Sequence, residues 1–457
     1  MLSQWARSWQ TAKLPTPRVI LAGRRRRPDP PPVVLARQSD DAEYTSDRRG
    51  NLVARRPWKL ANLFDRGTGV VKHLLPDMYP ASVPSNYMDY TKWQVVASTL
   101  SSCIGVLSTQ ALLVAVGVGT AAVPVSAALN WVIKDGLGQF GGVVFGSLVG
   151  NKFDSEPKRW RVVSSVALDA ASLIEILTVT APHLFLPLAA LANIGKNVSW
   201  LANSAAKAGI HRTFMVRENL ADITAKANAQ QTMAGVLGML CGIALSKALG
   251  TGVAEILPVF AVLSCLHMAA VTRSLRTIKV PTLSLQRTER LALQYIGIAD
   301  RPGLLMTPAE LAQHENFVLP YRSPLQASTT VVGPPLHRLV QSLSLMQTLL
   351  DMQGPYPKFL VNIVQQCGRK PAVGFIMLED AGRVDVIEAF LQVTWIRKQI
   401  ETGARPDLDL IRAGVVYARE NAPEFIDRLA RSSWNVQSVF IDTGRRRLTL
   451  LQRVHAE

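Results

Sequence analysis

The sequence predicts a mainly α-helical protein: a multi-helix hydrophobic domain of membrane type, packed through glycine, at residues 75–275, followed by a smaller soluble α+β domain at 366–457. Three observations lead there. No Asp, Glu, Lys or Arg occurs between Lys92 and Lys134, and further uncharged runs follow at Gly136 to Asn151, Ile176 to Gly195, Ala227 to Ser246 and Ile256 to Thr272. Several approach the roughly 20 residues that a helix needs to cross a bilayer, while Gly136 to Asn151 is short enough to be re-entrant or buried in protein. Gly138, Gly142, Gly146 and Gly150 recur every fourth residue, so on a helix they form one slowly winding stripe without side chains. In water such a helix would be weakened by about 1 kcal/mol per glycine, whereas in lipid small-xxx-small faces drive helix pairing. Beyond Arg273 the long apolar runs give way to shorter, charged, alternating patterns.

Along the chain, residues 1–37 carry Arg7, Lys13, Arg18, Arg24, Arg25, Arg26, Arg27 and Arg37 against Asp29 alone, which reads as an organelle transit leader. A basic arm for RNA or anionic lipid is the other reading. Residues 38–74 read as a linker after Pro28, Pro30, Pro31 and Pro32. The prolines between Leu75 and Gln94 forbid a long helix. A first hydrophobic helix is expected from Trp93 to about Val118 and a second from Pro124. A third is capped by Asp154 or Ser155 and has Asp169 in the middle of its apolar face, with Glu175 pointing elsewhere. Further helices are expected around 176–195, 197–217 and from Asn219, where Asp222 completes a capping box and pairs with Lys226 one turn on. That last helix carries a second ladder, Asp222, Lys226, Gln230, Ala234, Gly238, Gly242 and Ser246. The two ladders pack together, belong to structural repeats, or arose independently wherever helices pack closely.

After a connecting region at 276–365, Phe375 to Glu379 and Val384 to Glu388 flank Asp380, Ala381 and Gly382 and read as a hairpin. Helices at 389–401, 407–419 and 423–431 and strands at 436–442 and 447–452 complete the tail.

Much of the excess behind the formal charge of +17 lies at one end, in the leader, and no nucleic-acid partner is expected from it. Cys103, Cys241, Cys265 and Cys367 stand far apart and suggest neither a zinc site nor a disulfide framework. The glycines at 117 and 119 and at 136, 138 and 141 imitate dinucleotide fingerprints, but their flanks read as helices rather than as a strand and a helix. GxSxG, HExxH and P-loop patterns are absent, and the scattered histidines have no carboxylate or thiol at ligand spacing, so no metal and no cofactor is expected.

LPDMYP at Leu75 to Pro80, STQALLVAVGVG at Ser108 to Gly119, NWVIKDGLG at Asn130 to Gly138, FDSEPKRWR at Phe153 to Arg161 and NLADITAKANAQ at Asn219 to Gln230 occur in this order. Through them the chain resembles the root UV-B sensitive family over most of residues 75–275, with weaker similarity at PPLHRLV, Pro334 to Val340. The resemblance implies a membrane-associated protein linked to UV-B responses, early development, auxin transport and vitamin B6 homeostasis. It implies an organelle membrane, plastid ahead of mitochondrion although the arginine run leans mitochondrial, and a hetero-oligomer with a paralogue of the family. It supplies no reaction and no catalytic residues.

Ionisable residues in apolar surroundings are the better lead, because an unpartnered buried charge is costly. Lys134, Asp135, Asp169, Asp222 and Lys226 are therefore the candidate ligand or ion-pair residues, with adjacent Lys134 and Asp135 facing different partners and Asp169 meeting Lys134 or a hydroxyl. Both a ligand or ion site and a set of structural pairs fixing helix register fit them. Gly138, Gly142, Gly146, Gly150, Gly238 and Gly242 are the packing positions. The expectation is a non-catalytic assembly or signalling component of an organellar membrane, partnered by the lipid bilayer. A carrier of a small metabolite such as a B6 vitamer is the first alternative and a soluble helical enzyme the second.

Overall fold

The structure, a computed structural model, describes residues 73–117, 125–149, 153–297, 303–319, 321–364, 370–441 and 446–450, together with three strands nearer the start of the chain. Those strands, β1 (Val34–Arg37), β2 (Glu43–Ser46) and β3 (Leu52–Arg55), form an antiparallel meander within the first compact unit, Met1–Val71. The stretch that reads as a linker is thus partly strand. The leader up to residue 33, Gly150 and Cys367 lie outside the described residues.

The second unit, Lys72–Glu457, is mainly helical. Its first part consists of α1 (Tyr87–Ala115), α2 (Val125–Val149), α3 (Pro157–Leu177), α4 (Phe185–Arg212), α5 (Leu220–Leu249) and α6 (Val253–Arg276). Four segments, Tyr87–Ala115, Pro157–Thr180, Leu220–Leu249 and Val253–Arg276, are long and apolar enough to cross a membrane, with mean hydropathy from 1.5 to 1.9. At about 1.5 Å per residue even the 24-residue segments exceed a hydrocarbon core of about 30 Å. Large apolar side chains face outward, among them Val143, Phe140 and Leu148 on α2, Leu240 and Leu237 on α5 and Val262 on α6.

Local chemistry shifts several expected boundaries. Helix α1 starts at Tyr87, six residues before the expected Trp93, because Tyr87 and Tyr90 are buried against Phe214, with ring centroids 5.5 and 5.0 Å away. Helix α2 runs unbroken for 25 residues, so the glycines from Gly136 to Gly146 belong to one continuous helix. Helix α3 has Pro157 at its first turn, yet its N-cap is Glu156 rather than Asp154 or Ser155, with no side-chain cap. Asn219 does stand at the N-cap of α5, but its Nδ2 donates to the Ser82 carbonyl and the capping box is not made.

Helix α1 is central, packing on α3, α5 and α6, while α4 packs on α3 and α2. The two small-residue ladders meet different neighbours. A Cβ added to Gly138 would overlap the Asn193 amide, and at Gly142 it would come within 3.2 Å of Asn197 Cβ, so the first ladder lies on α4. At Gly238 a Cβ would overlap the Thr99 carbonyl oxygen and at Gly242 it would lie 2.7 Å from Val106 Cβ, so the second lies on α1. Neither ladder packs on the other.

The rest of the unit is a small α/β assembly. Strand β4 (Thr282–Leu283), α7 (Leu285–Gly297), α8 (Pro308–His314), β5 (Thr329–Val332), α9 (Leu336–Leu339), α10 (Leu343–Met352), β6 (Phe359–Val364) and β7 (Ala372–Met377) precede α11 (Arg383–Glu401), α12 (Leu408–Arg431) and β8 (Asn435–Val439). Strand β7 is central, parallel to β5 and antiparallel to β6 with Leu360 opposite Ile376, so the sheet draws on both sides of residue 366. Strand β8 pairs in parallel with β4. The hairpin expected around Asp380 to Gly382 is instead a strand-to-helix turn. Gly382 N–H donates to Asp385 Oδ2 at 2.7 Å, and Val386, Ile387, Phe390 and Leu391 are buried with helical spacing, which no strand through Val384 to Glu388 would achieve. Residues 407–431 form one helix with Pro423 inside it, not two. Among the described residues near the end, Leu448 makes a single bridge to Leu378, and residues 451–452 of the expected last strand lie outside the described residues.

The close approach of α5 to α1 leads to a direct expectation. Gly238→Ala should destabilise the protein by about 1–3 kcal/mol, because the Thr99 carbonyl must shift. Gly136→Ala, with nothing within 4 Å of its added Cβ, should be neutral or stabilising by up to about 1 kcal/mol. Thermal melts of both variants in one neutral detergent would compare them, and equal melting temperatures would refute the contact.

Candidate functional site

Polar residues on the apolar helices recur at helical spacing and therefore share faces. Ser98, Ser101, Ser102 and Gly105 lie on one face of α1, and Asn228, Gln231, Thr232 and Gly235 on one face of α5. Arg161, Leu168 and Ser172 on α3 and Lys196, Trp200 and Asn203 on α4 do the same. All four faces, with His267 from α6, line one cleft of about 810 Å³. Helices α4 and α5 scarcely touch, so the cleft is bounded there by Trp200 on one side and Val236 and Met239 on the other.

Two acids at the cleft are neutralised locally. Glu175, 2% exposed, accepts from Lys196 Nζ. Asp169 accepts from Ser264 Oγ at 2.7 Å and faces His267 Nδ1 at 2.9 Å. Arg161, 7% exposed, donates to Ser164 and Ser165 hydroxyls, but its Nε has no hydrogen-bond partner and it has no carboxylate within ion-pair distance among the described residues. Lys207 donates to Gln231.

Of the five ionisable residues singled out from the sequence, only Asp169 belongs to this cleft, through His267. It meets Ser264 and His267 and not Lys134. Lys134 bonds its own neighbour, Asp135 Oδ1, at 2.6 Å, with its ammonium 4.5 Å above the Trp131 ring, and Asp135 also accepts from Asn193. The flexible lysine stem overrides the 100° between adjacent helical positions, so this pair serves the α2–α4 contact. Asp222 accepts from the Asp77 amide at 2.8 Å and Lys226 donates to the His73 carbonyl at 3.0 Å, so the two tie residues 73–77 to α5 and do not pair with each other. Glu175 does turn away from the face of Asp169, yet it is buried. Arg161, Lys196, Lys207 and His267 were missed, because a lone cation or histidine in a helix carries no motif. The i, i+3, i+4, i+7 runs of Ser, Asn, Gln and Thr were the available signal.

A second polar centre joins the helices to the tail. Glu315 accepts from Lys158 Nζ at 2.7 Å and from Arg287 at 2.8 Å, all three groups being buried. Burial alone would push the Glu315 carboxyl up, but the Arg287 and Lys158 charges override it and hold the group at about 2. In α7 and α11, Glu289 and Arg397 form a buried pair joined by Tyr321 and Ser323. Among the described residues no three His, Cys, Asp or Glu side chains are grouped as metal ligands.

A helical bundle enclosing a polar cleft, its apolar faces turned outward, is the class of protein described so far. Residues 65–297 match the model of the vitamin B6 photo-protection and homoeostasis domain. The chain belongs to that family, the root UVB sensitive proteins. It is 28% identical over 372 residues to protein root UVB sensitive 2, chloroplastic, of Arabidopsis thaliana, covering 81% of this chain and 83% of that one. It is 30% identical over 332 residues to root UVB sensitive 4 of the same plant, covering 70% of this chain and 63% of that one. With RUS family member 1 of Dictyostelium discoideum the identity is 29% over 248 residues, 53% of this chain and 46% of that one. No solved structure matches the chain.

The Glu315 carboxyl lies below its ordinary 4.5, so its contribution to stability is present in full above about pH 4.5 and is lost as the pH falls towards 2. Glu315→Gln should flatten that part of the stability curve. At pH 7 it should cost about 3–5 kcal/mol, because two buried cations lose their partner. Melting temperatures of the two proteins between pH 3 and 7 test this, and parallel curves would refute it.

Proposed function

We propose that this protein is a non-catalytic component of an organellar membrane that binds, and passes across or within the bilayer, a small polar molecule in the service of vitamin B6 homeostasis. The observation that carries this is the cleft: a space of about 810 Å³, within the size range of small-molecule sites, where hydroxyls and amides stand among apolar side chains between helices whose outer faces are apolar. Polar groups inside such helices are costly unless they serve one another or a ligand. The bilayer is the partner that suits the outward Val143, Phe140 and Leu240. The chloroplastic relative supports a plastid envelope or thylakoid setting.

The carrier reading is favoured over a purely structural assembly role because Arg161 and Asn203 line space rather than a helix contact. It is favoured over an enzyme because Ser264 donates to Asp169 and not to His267, so the nucleophile–base bond of a serine triad is not made. The family's domain description, naming vitamin B6, points to a pyridine vitamer as the molecule to try first.

Carbonate extraction of isolated organelles should leave the protein in the membrane pellet, and release with soluble proteins would remove the membrane part of the reading. Proteoliposomes holding the full chain should take up radiolabelled pyridoxine. Gly235→Phe, which projects a ring into the cleft, should reduce that uptake at least about tenfold while the protein still inserts. Uptake equal to that of empty liposomes, or insensitive to the plug, would refute the carrier.

A further inference from the structure

The cleft has an unequal charge balance at one end. Arg161 enters from the first turns of α3 and Lys207 from the last turns of α4, and these two chain ends lie at the same end of the bundle because α3 and α4 pack along each other. The two cations are close enough to repel. Neither has a carboxylate within ion-pair distance among the described residues; Arg161 is held by two serine hydroxyls and Lys207 by Gln231. The acids of the region are spoken for, Glu175 by Lys196 and Asp169 by Ser264 and His267. Arg161, Lys196 and Lys207 thus outnumber Glu175 and Asp169 by three to two.

Buried hydrogen-bonding capacity collects at the same place. Arg161 Nε, both polar atoms of the Gln94 amide and Asn203 Oδ1 have no partner in the protein. Ser98 and Gln231 line both the main cleft and the recess of about 10 Å³ that holds Gln94 and Lys207, so the two spaces adjoin across these side chains. A guanidinium offers a planar fork to an oxyanion, a nearby ammonium adds a point charge, and serine hydroxyls and an amide add neutral donors. An apolar ligand would leave Arg161 Nε without a partner, and a cation would be repelled by Arg161 and Lys207. A dianion accepts from Arg161 Nε and relieves the repulsion between Arg161 and Lys207, while Asn203 Oδ1, an acceptor, takes a donor such as a hydroxyl from the rest of the molecule.

We infer that the inner end of the cleft is a phosphate-ester site, with Arg161 gripping the phosphoryl oxygens and Lys207 supplying the second charge. This rests on the carrier reading and deepens it: the molecule bound is the phosphorylated form, and the uncharged part lies along the hydroxyl-lined remainder of the cleft. The opening between α4 and α5, flanked by Trp200, Val236 and Met239, faces sideways from the bundle, so a phosphate on a soluble metabolite and a phosphate on a lipid headgroup both have a way in.

The test uses the full chain in neutral detergent and equilibrium dialysis with pyridoxine 5′-phosphate against pyridoxine, neither of which carries an aldehyde that could couple to lysine. The phosphate should bind at least about tenfold more tightly, the scale of one or two charge-assisted hydrogen bonds, and inorganic phosphate should compete. Arg161→Gln and Lys207→Gln should each remove most of that ratio, while Lys92→Gln, at an exposed surface pair, should leave it intact. If Arg161→Gln does not fold, Lys207→Gln decides, since its partner Gln231 can still be hydrogen-bonded by an amide. Folded variants that keep the ratio would overturn the site. A ratio near one in the unmodified protein, with pyridoxine still bound in the cleft, would overturn the phosphate site and leave the carrier standing. In a third arm, nanodiscs with and without phosphatidic acid are compared. Binding of the lipid phosphate that depends on Arg161, with neither pyridoxine compound bound, would support the site and overturn the vitamer reading instead.

Discussion

The physical constraint on which the rest of this structure depends is that polar side chains on apolar helices must find one another. Helices α1, α3, α4 and α5 carry serines, asparagines, glutamines or charges among apolar residues, and their outer faces are apolar. A polar group left facing oil or a packed core loses several kcal/mol of hydration, so each helix is rotated until its polar stripe points inward. Four such stripes cannot all touch directly, because their side chains are short. What they enclose is a cleft.

Close helix packing fixes the walls of that cleft. Gly238 and Gly242 bring α5 against α1, and Gly138 and Gly142 bring α2 against α4; a methyl group would collide with a carbonyl at Gly238, an amide at Gly138 and the Val106 side chain at Gly242, and would press on Asn197 at Gly142. Helices α4 and α5 carry no such seam between them, and it is there that the bundle stays open. Lys134 with Asp135, and Asp222 and Lys226 with residues 73–77, act at the edges of these contacts, where an ion pair or a backbone hydrogen bond sets register.

The helical part and the tail are joined by charge as well as by apolar packing. Glu315 is reached by Lys158 from the start of α3 and by Arg287 from α7, so the helix that presents Arg161 to the cleft is anchored, three residues earlier, to the first helix of the tail. The tail's own core holds Phe375 against Phe390 and the Glu289–Arg397 pair joined by Tyr321.

Much of this was legible in the sequence. Uncharged runs, glycine spacing and the change of texture after Arg273 determined a helical apolar domain with a mixed tail, because burial energy and helix period act within a short window of chain. The same period would have shown the serine and asparagine stripes, had small hydroxyl residues been weighed as heavily as charges. What only the tertiary structure decided is which residues meet. That Asp169 finds His267 nearly a hundred residues away, that Lys134 turns to its own neighbour, that the two glycine ladders pack on different helices and that Val384 continues a helix all depend on how helices are placed beside one another. A one-dimensional pattern records which face of a helix is polar or bare, but contact energies between faces far apart in the chain decide which other face it is turned towards.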